Sequence, residues 1–227
     1  MERLTKVVTN FTGKEYNRVV VVNLGDSLDS YKKETTRGGH PLPSVTNDKE
    51  NSKMFMNCML EFFHMIMDNI TYNGLEYYCI GEANHDGTWG WINNVALGHL
   101  LVQMDIKVHI SDFPIDSFRV QDCNFIYCHG KDDNNQFKQF PLVLNDKTEL
   151  YFNNWINAHT TTPAYYNYVV KGDLHRFAYT SGHTFDYVSV GSLYASSNYI
   201  TANFGNTPWS INYFEVENNN VLIGKIS

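Results

Sequence analysis

RVVVVNLGDSLDS, residues 18–30, contains four consecutive valines with nothing polar between them. A run that is apolar at every position, not at every second one, marks a strand covered on both faces, as in a parallel sheet. The run ends abruptly in GDSLD, and in open α/β sheets ligands collect outside the carboxyl ends of the strands. The stretch therefore predicts a buried parallel strand leading into a loop that carries chemistry.

Outward from it, MERLTKVVTNF (1–11) fits a helix or a strand, and TGKEYN is a polar break. The segment 31–53 is rich in Gly, Pro, Thr and charge without apolar period, which predicts a long loop of the kind used as a functional lid. MFMNCMLEFFHMIMDNI (54–70) predicts a helix whose methionines fill a core. LEYYCI (75–80) predicts a second strand, closed by the polar GEANHDG, and 88–104 a helix. IKVHISD (106–112) and NFIYCHGKDD (124–133) predict further strands, and 145–158 a helix. YYNYVVKGD, FDYVSVGS, SINYFEVEN and NVLIGKI are short β-like stretches. Strands alternating with helices, then a strand-rich end, predict a single α/β domain over 1–227.

Composition sets the outer bounds. The 43% hydrophobic content can fill a substantial core, and the formal net charge of −7 argues against a generally basic surface for nucleic acid or for an anionic membrane. A bound metal ion would still supply local positive charge. Cys58, Cys79, Cys123 and Cys128 show no CxxC spacing, so buried free thiols in a reducing cytoplasm are expected. MERLTKVVTN has no signal-peptide pattern, and no apolar run approaches the ~20 residues of a membrane span. The expectation is a cytoplasmic protein with no membrane partner.

Four strand ends carry ion-binding side chains: Gly25-Asp26-Ser27-Leu28-Asp29, Asn84-His85-Asp86, His129-Gly130 and Gly172-Asp173-Leu174-His175. Carboxylate, amide and imidazole together suit a hard or borderline divalent ion such as Mn²⁺, Fe²⁺ or Zn²⁺. Asp173 and His175, two apart, would share one face of an extended chain. Cys128 and His129 are adjacent and would point to opposite faces of a strand, which disfavours a thiol nucleophile with its own base.

Taken in order, LGDSLD, ANHD, CHG and GDLH resemble the motif series of the calcineurin-like metallophosphoesterases, over about residues 18–205. TTRGGHPLP also resembles phage-encoded members of that family. The resemblance implies a four-layer α/β/β/α sandwich and metal-dependent hydrolysis of phosphodiester or phosphomonoester bonds, a nuclease being one form. It implies Asp26, Asn84, His129, Asp173 and His175 as metal ligands for one or two ions, Mn²⁺ first among the candidates. His85 would assist the leaving oxygen, and Asp86 would orient His85. Outside the motif series, Arg37 and His40 in the long loop are candidates to line a phosphate-binding lid.

Two departures from the family pattern stand out. Asp173 occupies the place of the first histidine in the family's G-H-x-H. No D-x-H precedes GDSLD, so the resemblance implies an N-terminally truncated sandwich with reduced activity. An exposed strand edge is then expected, filled by another element or by a second copy of the chain. The alternative function is a catalytically impaired scaffold that binds a partner protein.

Overall fold

A computed structural model of the chain describes residues 1–28, 48–81, 83–131, 139–160, 164, 166–193 and 208–227. It divides into two compact units, one of them holding Met1–Pro114 and the other Ile115–Gly130 with Phe137–Ser227. Both are mixtures of helix and strand, and the α/β class is borne out.

In the first unit, helix α1 (Glu2–Phe11) precedes β1 (Glu15–Tyr16) and β2 (Val19–Asn23). Helix α2 (Asp48–Asn69), β3 (Thr71–Tyr72), β4 (Leu75–Cys79), helix α3 (Gly87–Gln103) and β5 (Lys107–Ile110) follow. Strands β2, β4 and β5 form an all-parallel sheet in that order, with Val19 opposite Leu75 and Glu76 opposite Lys107. Central β4 is the buried one: Tyr77 and Cys79 are fully enclosed, and Phe63 of α2 meets the Tyr77 ring edge-on at 5.7 Å. Here the valine run departs from expectation. Strand β2 is parallel, but it is half-buried throughout and forms the edge of its sheet. A second departure is that α2 (Asp48–Asn69) reaches into the stretch 31–53 read as loop: Lys49, Glu50 and Lys53 are good helix formers, and Asp, Asn and Ser are at home in the first turn of a helix.

The second unit begins with β6 (Ile115–Val120) and β7 (Cys123–Cys128), then helix α4 (Asp146–His159) and β8 (Tyr166–Lys171). It continues with β9 (Ala178–Ser181), β10 (Phe185–Ser189), β11 (Ile211–Glu217) and β12 (Asn220–Ile226). Its main sheet runs β6-β7-β8-β10-β9, parallel at the centre (β7, β8, β10) and antiparallel at both edges. One face packs Ile126, Cys128, Val169, Phe185 and Tyr187 against Phe140 and the Phe152 side of α4. On the other, Phe125 stacks on Tyr168 at 5.2 Å and takes Phe214 of β11 edge-on at 5.5 Å. The sheet is thus covered on both faces within its own unit, which is what its parallel centre requires.

Candidate functional site

The loops after β2 and β4 hold each other by a reciprocal exchange. The backbone N–H of His85 donates to Asp26 Oδ1 at 2.8 Å, and the N–H of Ser27 donates to Asp86 Oδ2 at 2.8 Å. Each carboxylate therefore fixes the other loop. Asp26 takes a left-handed backbone (φ 53), and Gly25 before it (φ +86) lies so close that a Cβ would stand 2.4 Å from Ala83 Cβ. Asn84 and Asp86 are buried. Asp86 stands at the N-terminus of α3, where the helix dipole favours its charge.

Beneath this clasp lies a buried polar chain. Asn23 Nδ2 is 3.1 Å from Tyr77 Oη, the Tyr77 hydroxyl donates to Asn94 Oδ1, and Asn94 Nδ2 donates to the Gly90 carbonyl at 2.8 Å. Asn23 Oδ1 accepts from the Gly25 N–H at 2.9 Å, turning the chain out of β2. Such a network inside an apolar setting is rigid once every member is bonded. Sequence reading missed Asn23, Tyr77 and Asn94. The available signal was the pair Asn93-Asn94 interrupting the otherwise apolar WINNVAL of α3. A cavity of about 180 Å³, lined by Gly81, Thr88, Trp91 and Asp112, flanks the loop.

In the second unit, His129 follows β7 and Asp173 follows β8. His129 Nε2 stands 3.8 Å from Asp173 Oδ1, with side-chain exposures of only 4% and 7%. Gln139 Nε2 donates to Asp173 Oδ2 at 2.5 Å. Fully buried Lys171, unremarked in the sequence, donates from Nζ to the Phe140 carbonyl at 3.0 Å. Burial pulls its pKa down, against the opposing pull of Asp173 and Cys128. The Cys128 thiol is pushed up to about 12, chiefly by burial, which leaves it protonated and inert as a nucleophile. One expectation is corrected here: Asp173 (φ 69) and His175 (φ 54) are left-handed. The segment is not extended, and the same-face argument for the two side chains does not hold.

The residues singled out in the sequence thus fall into two groups. Asp26, Asn84, His85 and Asp86 lie in the first unit, where Asp26, His85 and Asp86 share the clasp; His129, Asp173 and His175 lie in the second, where His129 and Asp173 are brought together. Arg37 and His40, and Asp29 at the end of the opening stretch, fall outside the described residues. Among the described residues, no three of His, Cys, Asp or Glu are gathered as an ion site. No described helix is long and apolar enough to cross a membrane.

No family model matches the chain, and no curated protein does. Two similar solved structures are mutants of Vps29 from Entamoeba histolytica. The double mutant is 9% identical with a TM-score of 0.38, covering 67% of this chain and 81% of that one. The single mutant is 8% identical with a TM-score of 0.40, covering 92% and 97%. A likeness this remote bears on neither activity, ligand nor partner.

Proposed function

We propose that the chain is a metal-dependent phosphoester hydrolase acting on phosphodiester or phosphomonoester bonds, with nucleic acid one substrate class within that reading. One observation carries it. The imidazole of His129 and the carboxylate of Asp173, nearly closed from water, stand 3.8 Å apart at the ends of adjacent parallel strands. Asp173 and His175 hold left-handed backbones there, and strain of this kind concentrates at functional sites. A desolvated carboxylate also needs a compensating cation or donors.

The donor chemistry fits Mn²⁺, Fe²⁺ or Zn²⁺, and the motif resemblance assigns the same residues. Asp26 and Asn84 are the proposed ligands of the first unit, and His129, Asp173 and His175 those of the second. One or two such ions, when bound, would supply an activated hydroxide and neutralise charge on the phosphoryl oxygens. Of the chain's own groups, the clasp fixes the backbone that carries His85, the proposed donor to the leaving oxygen. Gln139 holds the Asp173 carboxylate in place.

Calorimetric titration with Mn²⁺ tests the reading, beside hydrolysis of an aryl phosphodiester. The expected result is tight binding by the parent chain, weakened at least ~10–100-fold in His129→Ala and in Asp173→Asn, by analogy with losses at other metal sites. A folded parent chain that takes up no ion and turns over no ester overturns it.

A second reading, a non-catalytic scaffold that binds a partner protein, has its own support. The Asp26 and Asp86 carboxylates are already engaged by backbone N–H groups, and no three-ligand group is gathered among the described residues. It expects no ion binding by a folded chain, so the same titration separates the two.

A further inference from the structure

We infer that Lys171 is a positioning residue of the His129–Asp173 pair: its buried amine fixes the backbone that delivers Gln139 to one oxygen of Asp173, which turns the other oxygen toward His129. The use of that arrangement to an ion rests on the hydrolase reading above; the arrangement itself does not.

Two hydrogen bonds tie residues 139–140 to residues 171–173. Lys171 Nζ donates to the Phe140 carbonyl at 3.0 Å, and Gln139 Nε2 donates to Asp173 Oδ2 at 2.5 Å. The chain itself joins Gln139 to Phe140, and Lys171 to Asp173 through Gly172, so the two bonds close a ring. One side of the ring is rigid. Lys171 is fully buried and ends β8, in register with Cys128 of β7. Phe140 is buried, its ring 4.9 Å from that of Phe152, and its N–H donates to the Gly130 carbonyl at 2.8 Å. Gly130 (φ +106) lies on the lysine tail: a Cβ there would stand 3.3 Å from Lys171 Cδ and Nζ.

The other side would be loose without this anchor. Gln139 is exposed, and freezing a glutamine side chain is among the larger entropic costs a side chain carries. One hydrogen bond barely offsets that cost unless the backbone is already placed. The Phe140 anchor places it. With Oδ2 taken by Gln139, the oxygen that faces His129 Nε2, at 3.8 Å, is Oδ1. That spacing is too long for a hydrogen bond, and Oδ1 is the oxygen presented to an ion. An apolar side chain of similar length would fill the space of Lys171 without the cost of a buried ammonium. It would leave the Phe140 carbonyl unheld.

NMR of the ion-free chain tests this on the Gln139 side-chain amide, assigned by its loss in Gln139→Ala. In the parent chain the amide protons are expected to be shifted and slow to exchange with water. In folded Lys171→Met they should fall to the values of a free glutamine, as they do in Asp173→Ala. Calorimetric titration with Mn²⁺ gives a second readout. Lys171→Met and Gln139→Ala are each expected to weaken binding ~10–100-fold. The double variant should bind no more weakly than the weaker of the two, because both act on the same oxygen. A merely structural lysine would change the unfolding midpoint and leave the Gln139 amide where it was, and that result overturns the inference. So does a Gln139 amide already free in the parent, and so do losses that multiply in the double variant. A folded parent chain that binds no Mn²⁺ sinks the hydrolase reading alone, and the amide then decides the positioning role by itself. Should Lys171→Met not fold, the coupling is read from its other end, since coupling is reciprocal. Gln139→Ala is then expected to shift the Lys171 Nζ resonance, and an unmoved resonance overturns the inference.

Discussion

Three residues singled out for their chemistry, Asp26, Asp173 and His175, hold left-handed backbones among the described residues. The others outside glycine are Asp105, Gln121, Asn218 and Asn219, which close turns, where polar side chains tolerate such angles. At Asp26 the angle is held by the reciprocal clasp with the loop of Asp86. Gly90 tests how rigid the clasp is. An alanine inside a helix normally gains roughly 0.5–1 kcal/mol over glycine. At Gly90 the added Cβ would stand 2.2 Å from Asp86 Cγ, and the Asp86 side chain is buried and tied to the Ser27 N–H. The clash should win. Gly90→Ala is expected to lose about 1–3 kcal/mol, read as a lower urea midpoint with unchanged slope. A gain in stability would mean that the Asp86 carboxylate moves freely and that the clasp is not rigid.

At the scale of elements, legibility followed local chemistry. Helix α4 was readable because Asn145 and the acidic first turn announce it: Asn145 Oδ1 accepts from the Thr148 N–H at 3.0 Å, with Asp146 and Glu149 behind it. Asn145→Ala should cost about 1 kcal/mol, within 0.5–2, measured by thermal or urea unfolding, whereas Asn145→Asp should hold most of that stability. Equal losses for both would show that the cap contributes nothing. The β11–β12 hairpin was seen as two strands. Its turn was readable too, since Asn218 and Asn219 take the paired left-handed angles of a two-residue hairpin turn. Strands β6 and β9 went unread for a physical reason. IDSFRV and AYTS mix charge or hydroxyls with few apolar residues, because each lies at an edge of its sheet and needs no two-sided apolar cover. The converse holds for β2, where VVVV promised burial on both faces and stands half-buried at an edge. Composition reports what a strand could bury, and the neighbours decide what it does bury.

At the scale of the molecule, sequence motifs located which loops carry polar chemistry but not what stabilises them. The clasp between Asp26 and Asp86 and the amine of Lys171 arise from residues far apart in the chain, and no local pattern marks them. Lys171 gives the sharpest test. Its ammonium is buried, donates only to the Phe140 carbonyl among the hydrogen bonds described, and has a pKa lowered by that burial from the ordinary 10.5. In the window between the lowered folded value and 10.5, the unfolded chain holds more protons than the folded one, so the contribution of Lys171 makes stability rise with pH. Below the window the folded state bears the full cost of a desolvated charge. Lys171→Met removes that cost and leaves the Phe140 carbonyl unbonded, a loss of about 1–3 kcal/mol that is the same at every pH. The thiols of Cys79 and Cys128, raised to about 12 from 9.0, make stability fall above pH 9.0 in both chains, and to first order they cancel in the difference. The stability of Lys171→Met relative to the parent should therefore be greatest at neutral pH and decline as pH climbs toward 10.5. Urea unfolding of both chains at each pH measures it. A difference that stays flat across that range would mean the amine is solvated, and that the second unit does not close over it.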